Sequence, residues 1–276
     1  MKKEIAMKFR FAALPLMMLA ATASAESYNS ITTGGYTNTE SGNADADTFR
    51  FGSTYYFAPL ETRGPLKEFD YIIRTTNLYG DYSYTDFDGG DADDLTLGGE
   101  YFAANGFMGG VEVNEGDLED TTELTAGYLF NPDLLVSISR VDPDEGDAQN
   151  YVNARYNHRL GGTDYIGFNF ETDDDFDSQS LSSKWFTKLG GQTWLAVDGG
   201  FTNHDEIDND WNIGAEYYFS KATSVSAGYE DSGLMGDIYD LGVSHFFNRN
   251  VAGSLAYVTR DDVDVDEFQL GVTVQL

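Results

Sequence analysis

The sequence predicts an all-β fold, a transmembrane antiparallel up-and-down β-barrel of about 16 strands. Three observations predict it. Apolar residues recur at every second position in runs of about ten residues, which is the period of a strand with two unlike faces. Two kinds of break separate these runs and strictly alternate. Aromatic residues or pairs stand just before most of the short breaks.

The stretch Asp210 to Asp231 shows the unit. Trp211, Ile213, Ala215, Tyr217 and Phe219 alternate with Asn212, Gly214, Glu216 and Tyr218. After the break Ser220-Lys221-Ala222, the alternation resumes with Val225, Ala227 and Tyr229 against Ser224, Ser226, Gly228 and Glu230. Two such strands across a tight break read as a hairpin.

Composition narrows the class. The 276 residues are 41% hydrophobic and 14% aromatic, with 30 Gly, and carry a formal charge of −31. Gly and aromatic enrichment suits hairpins at a water boundary. Strong acidity opposes nucleic-acid binding, so no DNA or RNA partner is expected. Disorder is disfavoured by the aromatic content. There are no cysteines, hence no disulfide and no Cys-based metal site.

Residues 1–25 read as a signal peptide. Lys8 and Arg10 precede the apolar run Phe11 to Ala21, and Thr22-Ala23-Ser24-Ala25 offers a small-x-small cleavage site. Removal strips four basic residues and one acidic residue, taking the charge to −34. The barrel is expected over 26–276. No later segment has 18 consecutive apolar residues, so strands and not helices must cross any membrane.

Eight breaks are acidic: Glu40 to Asp45, Phe87 to Asp93, Glu115 to Asp120, Asp142 to Ala148, Thr172 to Ser178, His204 to Asp210, Asp231 to Gly236 and Asp261 to Asp266. Six are short, at 104–106, 131–133, 161–163, 190–192, 220–222 and 248–250. One longer connection is expected at 58–68, and the segment 58–75 reads either as a periplasmic connection or as a latch. Outside the signal, Pro occurs only at 59, 65, 132 and 143, and all four are expected in breaks, because Pro cannot donate to a ladder. Tyr56-Phe57, Tyr101-Phe102, Phe130, Trp185-Phe186, Tyr218-Phe219 and Phe246-Phe247 precede the short turns or the longer connection and read as an interface belt.

The last strand sets Phe268, Leu270, Val272, Val274 and Leu276 against Glu267, Gln269, Gly271, Thr273 and Gln275. Sixteen strands enclose more space than side chains fill, so the polar face is expected to line water and the apolar face lipid. An even strand count puts both termini on the side of the short turns, which is the periplasmic side in outer-membrane barrels.

Residues 55–73, YYFAPLETRGPLKEFDYII, hold the one non-repetitive feature, Gly64-Pro65-Leu66. Together with the barrel pattern this resembles the porin family of Gram-negative marine bacteria, general-porin-like outer-membrane β-barrels in which a Gly-Pro-Leu element follows the second strand. The resemblance implies a channel for passive diffusion of small hydrophilic solutes in the outer membrane, with no catalytic residue and no cofactor. Outer-membrane lipid and lipopolysaccharide are the implied surroundings, and a homotrimer is an association open to such barrels. The chain departs from many outer-membrane barrels in ending on Leu276 instead of Phe or Trp.

The polar face supplies pore-lining candidates. Arg50, Arg155, Arg159, Lys184 and Lys188 are basic; Glu100, Glu123, Glu171, Asp198, Glu216, Glu230, Asp240 and Glu267 are acidic. Acid predominates, so a mild cation preference is expected. The cations concentrate in residues 149–189, which suggests a transverse field. No long insertion reads as a constriction loop. The acidic loops could attract Ca²⁺ or Mg²⁺ loosely, but none matches an EF-hand and no metal site is assigned. The alternative reading is a structural or adhesive barrel, or an Asp/His hydrolase at the outer rim built on His204 with Asp205, Glu206, Asp208 and Asp210. His158 and His245 lie near short turns and read as interface residues.

Overall fold

The computed structural model describes residues 26–42, 44–117, 119–205, 208–233, 235–261 and 263–276. The expected signal segment 1–25 lies outside the described residues, as does Glu206 of the outer-rim cluster. Among the described residues there are sixteen strands and no helix: β1 Ser27–Ser41, β2 Ala44–Glu61, β3 Asn77–Phe87, β4 Gly90–Phe102, β5 Phe107–Gly116, β6 Thr121–Asn131, β7 Leu134–Pro143, β8 Gln149–Gly161, β9 Asp164–Asp173, β10 Ser178–Gly190, β11 Thr193–His204, β12 Asp210–Tyr218, β13 Thr223–Ser232, β14 Gly236–Phe246, β15 Val251–Arg260 and β16 Val265–Gln275.

Each strand pairs antiparallel with its neighbours in sequence, and β1 pairs with β16 to close the barrel. Closure follows from the solvent. An open edge in hydrocarbon would leave a row of backbone groups unpaired, at several kcal/mol each. The seam runs from Ile31 opposite Gln275 to Ser41 opposite Val265, and the Ser30 N–H donates to the Leu276 carbonyl at 2.8 Å. Ending on Leu276 therefore leaves the closing ladder intact.

The period of two fixes the faces. Phe49, Phe51, Leu97, Leu124, Ile138, Leu181, Phe201, Ile213, Leu241, Leu255, Phe268 and Val272 are all exposed, and they share the outer face. The residues between them point inward. In water such a surface would be a severe liability, whereas in a bilayer it is the required one.

Each of the eight acidic breaks and six short turns spans a junction between consecutive strands, and the acidic breaks reach into the strand ends. Two expectations are corrected. The longer connection is not 58–68: β2 continues to Glu61, and the connection runs from 62 to 76. Pro59 and Pro143 are not in breaks. Pro59 lies where the β1–β2 register shifts, between the Tyr28–Leu60 and Ser30–Tyr55 pairs, and beyond the last β2–β3 pair, Tyr56–Asn77. No second ladder there needs its missing N–H. Pro143 is the final residue of β7, paired with Thr121.

Candidate functional site

The polar side chains of the strands converge on the inner face of the closed barrel. Register puts every charged residue singled out from the sequence on the inward set. Arg50 stands beside Asp81, Glu100 opposite Asn77, Glu123 opposite Glu112, and Arg155 opposite Asn169. Arg159 is opposite Tyr165, Glu171 opposite Ser180, Lys184 opposite Asp198, and Lys188 opposite Trp194. Glu216 is opposite Ala196, Glu230 opposite Asn212, Asp240 opposite Gly228, and Glu267 opposite Val258.

They do not form one cluster. Arg159 and Lys188 sit at the short-turn rim, where Arg159 pairs with Asp133 at 2.7 Å and Lys188 lies 5.7 Å over the Trp194 ring. Arg50 and Glu267 line one cavity of about 440 Å³, together with Thr37, Thr48 and Gln269. Glu100, Glu123, Arg155 and Glu171 line another. Asp198 and Asp240 flank a row, Asp198–Gly214–Gly228–Asp240, across four strands. A Cβ at Gly214 would stand 2.8 Å from the Asp198 carboxylate. The two glycines thus let both carboxylates lean over bare backbone.

Among the inward charges that sequence reasoning missed are Asp81, Asp94, Glu112 and Arg260. Asp81 faces Arg50 at 3.6 Å, Asn114 donates to Asp94 at 2.8 Å, Tyr79 donates to Glu112 at 2.6 Å, and Arg260 pairs with Glu267 at 2.6 Å. The signal was present: Met108, Gly110, Glu112 and Asn114 alternate with the exposed Phe107, Val111 and Val113.

The larger correction concerns 62–76. No constriction element was expected, yet this connection turns into the barrel and is strung across its short-turn end. Ile72 packs on Met108 of β5 and Leu135 of β7; Tyr71 packs on Tyr165 of β9. Leu66 is buried with Phe246 of β14 and Ala252 of β15, and its N–H donates to the Lys221 carbonyl at 2.8 Å. Phe69 meets Tyr28 of β1 edge-on at 6.4 Å. Contacts on β1, β5, β7, β9, β14 and β15 span the interior. The segment is a latch, one of the two alternatives left open above.

Glu68 is its electrostatic anchor. The side chain is 6% exposed, and its carboxylate accepts from Lys184 Nζ at 2.8 and 3.0 Å and from Tyr218 Oη at 2.6 Å. Lys67 pairs with Glu216, and Arg63 pairs with Asp70, which also meets Arg74 at 3.5 Å. Gly64 carries φ +125°, a conformation that side chains resist, and a Cβ there would come 2.8 Å from the Trp194 ring. The Gly-Pro-Leu element is therefore the latch's point of entry: Gly64 clears Trp194, Pro65 is fully buried and Leu66 fills its apolar seat.

The latch also revises the aromatic belt. Only half of each pair faces outward. Phe57, Tyr101, Trp185, Phe219 and Phe247 are exposed, as is Phe130. Their neighbours turn inward: Tyr56, Phe186, Tyr218 and Phe246 are buried, and Phe102 packs on the Ile72 cluster. Adjacent residues cannot share a face, so a doublet of aromatics supplies one ring to the belt and one to the seat of the latch.

At the outer end His204 Nε2 lies 3.0 Å from Asp210 Oδ2. Asp210 also accepts the Gly233 N–H at 2.7 Å, so the carboxylate ties two loops together. His245 faces outward near a short turn, against Thr223 and Phe247; His158 does so against Tyr156.

A closed sixteen-strand barrel with an apolar outside and a charged, cavity-bearing inside defines a porin-type membrane channel. The sequence profile of the family described as "Putative general bacterial porin" matches residues 1–276, and the chain belongs to that family, which places it in the bacterial outer membrane. Solved structures agree on the fold. The Acinetobacter baumannii outer membrane protein Omp33 is 15% identical with a TM-score of 0.60, over 92% of this chain and 100% of its own. Pseudomonas aeruginosa OccK7 (OpdD) is 9% identical with a TM-score of 0.56, over 91% and 98%. A mutant of the Rhodopseudomonas blastica porin is 12% identical with a TM-score of 0.52, over 90% and 99%. No curated protein sequence matches the chain.

Proposed function

We propose that this porin passes small hydrophilic solutes and ions by passive diffusion, with a mild preference for cations. The observation that carries the reading is the charge on the inner wall. Arg50, Arg159, Lys184 and Arg260 are each held by a carboxylate, while Glu100, Glu112, Glu123, Asp198 and Asp240 have no ion-pair partner among the described residues. Uncompensated carboxylates along a narrow aqueous path raise the local cation concentration. Two of these carboxylates, Asp198 and Asp240, lean over the side-chain-free backbone of Gly214 and Gly228.

The deciding measurement is the reversal potential of purified protein in planar bilayers under a KCl gradient. Cation selectivity supports the reading, and anion selectivity overturns it.

The same proposal includes an export signal at 1–25, contact with outer-membrane lipid and lipopolysaccharide, and assembly as a homotrimer. An apolar hollow of about 680 Å³ on the outer face supports lipid or subunit contact, being lined by Gly34, Tyr36, Val243, Phe247, Leu255 and Val272. Intact mass of the membrane-extracted protein should begin at Glu26, and cross-linking in native membranes should give three-subunit bands.

A further inference from the structure

Above the latch, a cavity of about 430 Å³ opens on the inner wall, with Tyr71 among its lining residues. Four carboxylates face it: Glu100, Glu112, Glu123 and Glu171. Each accepts a hydrogen bond from a neutral donor, namely Asn77 at 2.9 Å, Tyr79 at 2.6 Å, Thr125 at 3.0 Å and Asn153 at 3.2 Å. Neutral donors fix where the oxygens point without cancelling their charge. The cavity therefore holds oriented, uncompensated anions on β4, β5, β6 and β9.

One cation shares it. Arg155, on β8, makes neither a hydrogen bond nor an ion pair among the described residues, unlike Arg50, Arg159, Lys184 and Arg260. It lies close enough to Tyr71 to oppose the upward push that burial gives that phenol. A guanidinium with free donors is a fork for a carboxylate. On β7, between the acidic strands β5–β6 and Arg155, stand only the small polar side chains Ser137 and Ser139. Opposite charges thus face one cavity with no ion pair between them among the described residues.

Resting on the channel reading, we propose that this cavity is a binding subsite for small amphoteric solutes with one carboxylate and two cationic groups, the diamino monocarboxylic acids. The solute carboxylate sits on Arg155, and its ammonium groups face the glutamates. Charge balance selects this class. Four carboxylates against one guanidinium repel a net anion, and a monoamino acid satisfies the arginine while leaving most of the acid unanswered. A plain diamine answers the acid but leaves Arg155 unpaired and repels it.

The test uses lysine, 6-aminohexanoate and 1,5-diaminopentane, added to purified barrel in planar bilayers under KCl and titrated calorimetrically into the same protein in detergent. Lysine is expected to reduce single-channel current saturably, at lower concentration than either analogue. Arg155→Gln should raise lysine's half-saturation concentration about tenfold, the loss of one charge-assisted contact, without weakening diaminopentane. Arg155→Lys should keep part of the preference, which guards against a Gln variant that fails to assemble. Glu123→Gln should weaken lysine and diaminopentane together. KCl current with equal half-saturation for lysine and diaminopentane overturns the subsite and leaves the channel standing. Calorimetric lysine binding that depends on Arg155, in a barrel that passes no KCl current, keeps the subsite and removes the channel. Neither current nor binding overturns both.

Discussion

At the periplasmic end the inner wall carries Leu135, Tyr165, Phe186, Trp194, Tyr218 and Phe246, all buried because the latch lies on them. At the outer end Asp173 and Asp210 stand on the inner wall and Asp261 in a loop, joined to their neighbours by hydrogen bonds such as that from the Gly233 N–H to Asp210. The two ends are made of the same hairpins, yet among the described residues the apolar core clusters all lie at one of them. Burying one such side chain is worth about 1.5–3 kcal/mol, whereas exposed charge contacts give about 0–1 kcal/mol. The barrel is therefore stiffened at one rim and held apart by like charges at the other.

The sharpest way to break the comparison is to remove the latch. Replacing residues 63–75 with a short Gly/Ser linker should raise single-channel conductance several-fold, since the interior of sixteen strands is otherwise too wide to fill. An unchanged conductance would mean that the segment does not stand in the path.

Next in size is Lys184→Met. It leaves Glu68 buried without its cation, a change of about 3–5 kcal/mol against docking, and should open 62–76 to proteolysis. The control is Arg50→Met, which removes the exposed 3.6 Å pair with Asp81 and should cost at most ~1 kcal/mol and leave the latch protected. Equal effects of the two would erase the contrast between a buried anchor and an exposed one.

Gly64→Ala should act on the same docking by about 1–3 kcal/mol, from the positive φ and the Trp194 contact. Hydrogen exchange should quicken at 62–76 and stay unchanged at the outer loops.

The smallest expected effect is at the outer end. Asn150 donates to Asp174 at 2.7 Å and holds its carboxyl below the usual carboxylate value. A depressed carboxyl contributes stability above its unfolded value and loses it as pH falls through the folded one. Asn150→Ala should move the Asp174 titration upward, read by NMR in detergent, with conductance near neutral pH unaltered.

How far the sequence reached is clearest at the aromatic doublets and at 58–75. Alternation is local, so Phe268 against Glu267 already told outside from inside, and eight acidic breaks, six short turns and one longer connection already gave the strand count. The doublets were legible as strand ends, but the destination of the inward ring was not. Tyr218 belongs to a hairpin of period two, and nothing near it in the chain announces Glu68, 150 residues away.

What the sequence by itself determined is the wall: which strands, in what order, with which face to lipid, because a period of two and an unpaired edge leave hydrocarbon no other solution. Only the tertiary structure decided what stands inside the wall. The Lys184–Glu68 pair spans 116 residues, and the seat for Leu66 is assembled from β14 and β15. Such contacts exist only once the cylinder has closed, so no local pattern can encode them.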